Sequence, residues 1–252
     1  MDSQRFEEAI LRAGARQRSG IGTLGEKTLH AVLKYYFEPY APSHEVRLGG
    51  FIADIVGENG VIEIQTGSFE RLRKKLGALL EVAPVTVVYP ISAIKWVRWI
   101  DPLTGESTGR RKSPKRYGPC ELLPELYKIK PLLKSPNLTL HILLLEIEET
   151  RLPDSRSAGR RRGFKRGDRI PLSLIGEAVI HTPQDYGLFL PEGLPDPFTS
   201  RDYQKASRLP LPRAQTALNV LHEMGAVMRT GRRGSAWLYR QMEEKAPLPG
   251  EL

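Results

Sequence analysis

Alternating apolar and polar residues predict a β-hairpin in the first quarter of the chain. Segments 51–56 and 61–66 show the period of two that is typical of β-strands, and both are rich in Ile and Val. Between them lies the turn 57–60, Gly-Glu-Asn-Gly, whose residues tolerate positive φ angles. In the register that this turn sets, Asp54 lies directly across from Glu63.

The predicted register, in which Val56 pairs with Val61, also places Gln65 on the face that carries Asp54 and Glu63. Two carboxylates opposed across neighbouring strands repel each other, so the arrangement requires a positive charge between them. A divalent cation is the natural occupant, since such ions take carboxylate oxygens as ligands. The alternative is that Asp54 joins an ion pair near the turn and Glu63 is merely exposed, because short motifs recur by chance.

Helical and β-branched segments around the hairpin predict an α/β domain with a mixed sheet over 1–150. The order strand, helix, strand predicts a right-handed crossover, which makes segment 85–89 parallel to a hairpin strand. The predicted helices cover 2–18, 24–37, 68–81 and, interrupted by prolines, 121–133, and the further strands cover 44–48, 85–89, 95–101 and 138–147.

The composition changes after residue 150. The stretch 151–169 is basic and punctuated by Gly and Ser, which is typical of a solvated linker, and we predict a basic connecting segment over 151–196. A smaller domain follows over 197–245. Its predicted elements are helices at 200–209 and 213–224 and a hairpin over 227–240 whose tip is Gly-Arg-Arg-Gly.

The charge of the chain favours a polyanionic partner. Its 252 residues include 38 Lys and Arg against 29 Asp and Glu, a formal net charge of +9, and basic surfaces concentrate phosphate-bearing ligands. Composition alone also fits a basic protein without such a partner.

The single cysteine, Cys120, excludes an intramolecular disulfide framework and a cysteine-rich zinc site, and it fits a reducing compartment. The sequence has neither a start typical of a signal peptide nor an apolar run of membrane-spanning length, so we expect a cytoplasmic protein without membrane association.

The spacing from Asp54 across eight residues to Glu63-Ile64-Gln65 resembles the PD-(D/E)xK nuclease superfamily, over about residues 20–92. The resemblance implies a restriction-endonuclease-like core, a mixed sheet flanked by helices, that hydrolyses phosphodiester bonds with Mg²⁺ or Mn²⁺. It further implies that Asp54 and Glu63 ligate the metal, that Ile64 offers its backbone carbonyl, and that Glu26 is the acid of the preceding helix.

Two positions depart from the pattern of the superfamily. Ala53 replaces a Pro that shapes the strand, and Gln65 replaces a Lys that orients the attacking water and neutralises charge in the transition state. Gln positions a water by hydrogen bonding but carries no charge. Some restriction endonucleases with Gln at this position remain active, so Gln65 is kept as a predicted catalytic residue. Lys74 or Lys75, on the following helix, is a candidate source of charge, and both lysines are predicted nucleic-acid contacts.

Glu26 and His30 lie one turn apart on the predicted helix 24–37. Glu26 fits the helix acid of the superfamily, and it fits equally well a terminal charge that the helix macrodipole favours. His30 is a secondary candidate, since a histidine in this setting is more often packed or hydrogen bonded than a ligand.

The C-terminal domain resembles a winged helix-turn-helix over about residues 197–241. Such domains bind DNA but also serve as protein-interaction modules. Trp237 and Tyr239 are expected to pack the sheet rather than to stack on bases. The basic runs at 110–116 and 156–169 are either solvated loops or surfaces that follow a phosphate backbone. The resemblance implies nucleic-acid contacts from Arg213, Gln215, Thr216 and Asn219 on the second helix, and from Arg232 and Arg233 at the hairpin tip.

Two functions follow from these features. The first is a metal-dependent endonuclease whose partner is double-stranded DNA, held by the winged helix and cut by the hairpin carboxylates. The second is a DNA-binding regulatory protein whose nuclease-like domain has lost catalysis, which Gln65 favours. RNA as the substrate and a homodimer as the assembly stay open at the level of sequence.

Overall fold

The structure, a computed structural model, describes residues 2–18, 28–101, 103–153 and 163–242. None of the helices in these ranges combines the length and the apolar content that crossing a membrane requires. The helices are α1 (Ser3–Arg18), α2 (Thr28–Phe37), α3 (Arg73–Leu80), α4 (Leu123–Leu126), α5 (Ser200–Ser207) and α6 (Leu211–Glu223), and short 3₁₀ turns cover Ala41–Ser43, Pro119–Leu122, Tyr127–Leu132 and Pro183–Phe189. The strands are β1 (His44–Leu48), β2 (Phe51–Gly57), β3 (Gly60–Ile64), β4 (Val85–Trp99), β5 (Arg111–Lys112), β6 (Leu138–Pro153), β7 (Phe164–Ile180), β8 (Val227–Arg233) and β9 (Ala236–Gln241).

Within the described residues, seven strands form one mixed sheet in the order β1-β2-β3-β4-β6-β7, with the short β5 paired to β4. Strands β1, β2 and β3 are antiparallel, β3, β4 and β6 run parallel, and β7 returns antiparallel beside β6. The chain passes from β3 through α3 to β4, so the predicted parallel pairing of 85–89 with a hairpin strand is confirmed. The predicted α/β class with a mixed sheet is therefore correct.

Helices cover both faces of this sheet. Neighbouring residues of a strand point to opposite faces, and Val87 and Val88 of β4 accordingly belong to different cores. Val88 is buried in a cluster with Leu33 of α2, and Val87 is buried in a cluster with Leu76 of α3. A parallel strand that is covered on both faces explains the β-branched run that begins at Val85.

The C-terminal elements share one of these cores. Phe198, Tyr203 of α5 and Leu221 of α6 are fully buried in the same cluster as Leu126 of α4. Strands β8 and β9 form an antiparallel hairpin beside these two helices. The unit predicted over 197–245 is thus packed against the helical layer of the mixed sheet.

Strand β7 lies inside the stretch 151–196 that the sequence predicted as a connecting segment. It pairs with β6 along its whole length, so a large part of the predicted linker is a strand of the sheet. The basic, Gly-containing first half of β7 obscured the apolar and polar alternation of its second half. Pairing with β6 satisfies the backbone hydrogen bonds of β7. The arginines of the predicted basic run at 156 and 160–162 lie outside the described residues.

Strand β4 joins two strands that the sequence predicted separately, at 85–89 and 95–101. The ladder with β6 continues through the intervening residues and shifts its register between Ser92 and Ile94. β5, which holds part of the basic run 110–116, pairs with the far end of β4. The first residues of β4 pair with β3, and the strand then continues past the β2–β3 hairpin, so that its far end lies beside the basic β5.

Candidate functional site

The β2–β3 hairpin brings the predicted metal ligands together at the point where its strands separate. The ladder has the predicted register, with Val56 paired to Val61, and it ends one pair farther from the turn. Asp54 is the next residue along β2 and Glu63 the next along β3. The two acids thus stand just past the end of the backbone ladder.

Hydrogen bonds to the two carboxylates replace the ladder here. The Ile64 N–H donates to Asp54 Oδ2 at 2.7 Å, and the Asp54 N–H donates to Glu63 Oε1 at 3.2 Å. Each carboxylate thereby satisfies a backbone amide, which holds both side chains in place. Glu63 is only 3% exposed, so the alternative in which it is merely a surface residue is wrong.

A lysine from α3 completes the carboxylate pair. Lys75 Nζ lies 2.5 Å from Glu63 Oε2, and the buried Leu76 and Leu79 anchor α3 on the sheet. Lys74, the other predicted lysine, is exposed. Lys75 is therefore the lysine that reaches the carboxylates.

Burial and neighbouring charges give the two carboxyl groups different pKa values. Burial raises the pKa of Glu63 to about 7, and the negative charge of Asp54 adds to the increase while Lys75 opposes it. Burial acts in the same direction on Asp54, but the hydrogen bond and charge of His30, together with the Ile64 N–H and Lys75, outweigh it and hold the pKa of Asp54 below its ordinary value. Asp54 is the more acidic group of the pair, and Glu63 is the group that an added positive charge would stabilise most.

His30 is the third side chain beside the carboxylates. Its Nε2 lies 3.3 Å from Asp54 Oδ2, and α2 presents it by burying Leu29 and Leu33 in the core. The secondary candidate from the sequence is thus in direct contact with the site. Glu26, one turn before it, lies outside the described residues, as does the predicted beginning of that helix.

Gln65 is fixed by two hydrogen bonds. Its backbone N–H donates to the Val88 carbonyl at 2.9 Å, and its side-chain Nε2 donates to the Ser68 carbonyl at 2.7 Å. The side-chain amide therefore secures the loop that leads into α3. This contact gives Gln65 a structural role in addition to the predicted catalytic one.

The predicted ligands of a divalent cation at this site are all oxygen donors. Asp54, Glu63 and the carbonyl of Ile64 are of the ligand type that Mg²⁺ prefers. Within the described ranges, no group of three or more His, Cys, Asp and Glu side chains is arranged to hold a metal ion. The hairpin supplies two carboxylates, and Mg²⁺ commonly completes its coordination with water and substrate oxygens.

Two of the four α6 residues that were predicted to contact nucleic acid form hydrogen bonds with the rest of the protein. Arg213 Nη1 lies 2.7 Å from Glu121 Oε2, and Arg213 Nη2 donates to the Glu121 carbonyl at 3.3 Å. Lys130 Nζ donates to Asn219 Oδ1 at 3.3 Å. These contacts join α6 to the helical layer of the sheet, a packing that the sequence pattern did not reveal.

The other two predicted residues of α6 differ in their surroundings. The Thr216 hydroxyl donates to the Pro212 carbonyl of its own helix at 3.0 Å. Gln215 is exposed and lines a groove of about 360 Å³ between α6 and the β8–β9 hairpin. Arg229 and Trp237 form part of the opposite wall. Asn219 lines the same groove, so Gln215 and Asn219 are the predicted α6 residues that are placed to contact a ligand there.

The β8–β9 hairpin keeps its predicted arginines at the surface. Arg232 and Arg233 are both exposed, and the Arg232 guanidinium lies 4.1 Å from the ring centroid of Trp237. Arg229, which the sequence pattern did not single out, lies 4.8 Å from the same ring. Tyr239 is buried, whereas Trp237 is 36% exposed. The expected packing role thus fits Tyr239, while Trp237 is held by cation–π contacts.

Comparisons with known proteins place the chain in a family. The family described as "Domain of unknown function (DUF8091)" matches residues 27–181, which include all strands of the mixed sheet and the β2–β3 site. A protein of Treponema pallidum (strain Nichols), described as an uncharacterized protein, is 30% identical over 222 residues, which are 88% of this chain and 87% of the relative. No solved structure matches the chain. The chain belongs to the DUF8091 family.

Proposed function

We propose that this protein is a metal-dependent phosphodiester hydrolase that cuts DNA. The observation that carries the proposal is the 2.5 Å contact of Lys75 with Glu63 beside Asp54. It supplies an ammonium group at the site, where the resemblance to PD-(D/E)xK nucleases calls for a charge and Gln65 brings none. The hairpin, crossover helix and parallel strand around these residues also accord with the resemblance.

Asp54 and Glu63, with the carbonyl of Ile64, are the residues that would hold Mg²⁺ or Mn²⁺. When bound, the metal polarises a phosphoryl oxygen and lowers the pKa of water. The raised pKa of Glu63 supports this assignment, because a cation stabilises the ionised form of a carboxyl group that burial and a neighbouring anion disfavour.

The reaction is hydrolysis of one phosphodiester bond. The oxygen of water forms a bond to phosphorus, the bond from phosphorus to one sugar oxygen breaks, and the products are a phosphomonoester and a sugar hydroxyl. Lys75 stabilises the negative charge that develops on the phosphoryl oxygens. His30, in contact with Asp54, orients that carboxylate.

The C-terminal unit supplies the surface for double-stranded DNA. Arg232 and Arg233 are exposed at one end of the hairpin, where they suit contacts to phosphates. Gln215 lines the neighbouring groove. Arg213 is paired with Glu121, so its role is to fix α6 against the sheet domain and thereby to set the position of the DNA relative to the carboxylates.

A DNA-binding protein without catalysis is the second candidate. One observation favours it: the Gln65 side chain donates to the Ser68 carbonyl at 2.7 Å, which ties up the amide nitrogen of the residue that replaces the catalytic lysine. In addition, Lys75 offsets the charge of Glu63 without a metal. A site satisfied by its own side chains would hold the fold together while the C-terminal unit bound DNA.

Nicking of supercoiled plasmid in Mg²⁺ and in Mn²⁺ separates the two candidates. The wild-type protein is expected to nick, and Asp54→Asn and Glu63→Gln, which keep the size of each side chain, are expected to lose about 100-fold in rate or more. Glu58→Gln, which changes an exposed acid in the turn of the same hairpin, is the matched control and is expected to leave the rate unchanged. Nicking that survives both site substitutions would exclude this mechanism, and retarded DNA without nicking in either metal would favour the second candidate.

A further inference from the structure

A cavity of about 270 Å³ has walls from β4, β6, β7 and α6. Thr66, which lines it, follows Gln65 directly in the chain. Positive side chains outnumber negative ones in its wall. The charged lining consists of four cations, Lys95, Arg166, Arg169 and Arg213, and two carboxylates, Glu121 and Glu149.

The two lining carboxylates are engaged with cations of the protein. Glu149 is only 3% exposed, and Arg151 Nε lies 2.8 Å from its Oε1. Lys95 Nζ and Arg166 Nε lie 3.7 Å and 3.9 Å from its Oε2. The second carboxylate is held in the ion pair with α6 that was described above. One buried carboxylate thus faces three cations, which leaves an excess of positive charge around the cavity.

Arg169 is one source of this excess. Its Nη2 donates to the Thr66 carbonyl at 3.4 Å, a long hydrogen bond. Across the residues that the structure describes, no carboxylate oxygen comes within 4.0 Å of its guanidinium group. A guanidinium carries five N–H donors in a planar fork that matches the oxygens of a phosphate. Arg169 therefore has donors to offer to an anion in the cavity.

The environment of Lys95 has the same excess of positive charge. Burial lowers the pKa of Lys95, and although Glu149 opposes this effect, the charges of Arg151, Arg166 and Lys115 reinforce it. A side chain in such surroundings is stabilised in its charged form by an added anion. The cavity is therefore electrostatically suited to a negative ligand.

Hydroxyl groups provide neutral donors in the same wall. Tyr89 and Ser92 of β4 both line the cavity. Burial raises the pKa of Tyr89 to about 12, with Glu125 and Glu121 adding to the increase, so this hydroxyl keeps its proton at neutral pH. Guanidinium and hydroxyl groups together are common partners of phosphate oxygens in proteins.

We propose that this cavity binds a phosphate group, either the terminal phosphate of a nucleic-acid strand or inorganic phosphate. At about 270 Å³, the cavity has room for a phosphate group. A strand end is a natural source, because Thr66, which lines the cavity, follows Glu63 by only three positions in the chain. The inference goes beyond the proposed function, since phosphate binding here requires neither a metal nor cleavage.

The test measures binding in the presence of EDTA. In the first arm, thermal unfolding of the full chain is followed with increasing inorganic phosphate, against chloride at equal ionic strength, and the unfolding midpoint is expected to rise and then saturate. In the second arm, oligonucleotides of one sequence carry a 5′-phosphate, a 3′-phosphate or hydroxyls at both ends. A phosphorylated strand that binds about tenfold more tightly, the gain of one charge-assisted hydrogen bond, supports the cavity and identifies the strand end as the source. Equal binding of all three strands, with the effect of inorganic phosphate present, supports the cavity and identifies free phosphate.

Two variants assign the effect to the cavity. Arg169→Gln removes the guanidinium, and Tyr89→Phe removes a single oxygen atom and so keeps the test valid if the first variant does not fold. Both are expected to weaken the phosphate effect, whereas Arg47→Gln, an exposed residue of β1 at the opposite edge of the sheet, is expected to retain it. The proposal would be overturned if the wild-type protein showed neither a rise in unfolding midpoint with inorganic phosphate nor a preference for phosphorylated strands. It would also be overturned if the observed response persisted in full in both cavity variants. Asp54→Asn is expected to bind phosphate normally, so that failure of nicking and failure of phosphate binding are separate results.

Discussion

Lys75 of α3 and Glu63 of β3 meet at a distance of 2.5 Å between Nζ and Oε2, although twelve positions separate them in the chain. The crossover from β3 through α3 makes the contact, because the buried Leu76 fixes α3 on the sheet beside the hairpin. The Lys75 side chain is 19% exposed. Its charge is thus held at the carboxylates rather than in solvent.

The first prediction is that Lys75→Gln slows plasmid nicking by about 100-fold, the cost of removing one preorganised group that stabilises transition-state charge. Lys74→Gln is the matched control, since Lys74 is the neighbouring lysine of the same helix and is exposed. It is expected to leave the initial rate of nicking unchanged while removing the same formal charge. Equal losses in the two variants would mean that Lys75 acts only through the net charge of the helix.

The hairpin and its register could be predicted from the sequence because both depend on local signals. A period of two and a turn tolerant of positive φ fix which residues face each other. The choice between Lys74 and Lys75 depends instead on the rotation of α3, which begins at Arg73 and not near residue 68 as predicted. Adjacent helical residues point about 100° apart, and Lys75, three residues after Leu72 and four before Leu79, lies on the buried side of α3. The helical spacing does not say that this side of α3 meets Glu63, which depends on how the crossover packs on the sheet.

The second prediction concerns the pH dependence of stability in the metal-free protein. The pKa of Glu63 is about 7 in the folded state against an ordinary 4.5, so the folded protein retains a proton that the unfolded chain releases. The stabilising effect of this difference is fully present below pH 4.5 and is lost as the pH rises to about 7. Relative to Glu63→Gln, the wild-type free energy of unfolding should fall by up to about 3 kcal/mol across this interval.

Urea denaturation of both proteins in EDTA at pH 4.5, 6 and 7.5 measures the difference. Subtracting the two profiles removes the titrations that the two proteins share. The pKa of Asp54 is lowered, so its contribution to the pH dependence of stability falls below this pH interval. Parallel profiles between pH 4.5 and 7.5 would show that Glu63 ionises normally in the folded protein.

The third prediction is that Arg213 and Glu121 are energetically coupled by about 1 kcal/mol. Arg213 Nη1 lies 2.7 Å from Glu121 Oε2, and both side chains are partly buried. A double-mutant cycle with Arg213→Gln and Glu121→Gln, followed by chemical denaturation, measures the coupling. The comparison cycle uses Arg240 and Asp196, which lie 3.0 Å apart but are 53% and 62% exposed, and its coupling is expected to be smaller. Equal coupling in the two cycles would contradict a role of Arg213 in fixing α6.

The partner of Arg213 illustrates the limit of the sequence at the C-terminal unit. In α6 the apolar residues Ala217, Leu218 and Leu221, which recur at helical spacing, are buried, and Arg213 lies on another side of the helix. Glu121, which binds Arg213, lies 92 positions away in the chain. A helical pattern identifies the side that faces the core, but it does not reveal which distant element covers the remaining sides.

The fourth prediction is that the hairpin arginines set the salt dependence of DNA binding. Each phosphate contact adds about 0.9 to the slope of log K against log salt concentration, so the combined change of Arg232→Gln and Arg233→Gln should reduce the slope by about 2. Both residues are exposed at the tip, where Arg233 pairs with Ala236. Arg240, which pairs with Met228 near the other end of the hairpin, provides the control substitution Arg240→Gln.

Fluorescence anisotropy with one duplex at several salt concentrations, in EDTA, gives the slope for each variant. A reduction in the tip variant with an unchanged slope in Arg240→Gln would place phosphate at the tip of the hairpin and not along its whole length. Arg213→Gln is expected to leave the slope unchanged, because Glu121 already occupies that guanidinium. If Arg213→Gln lowered the slope while the tip variant did not, DNA would have to approach α6 from the side that now faces the sheet domain, and the two units would have to separate on binding.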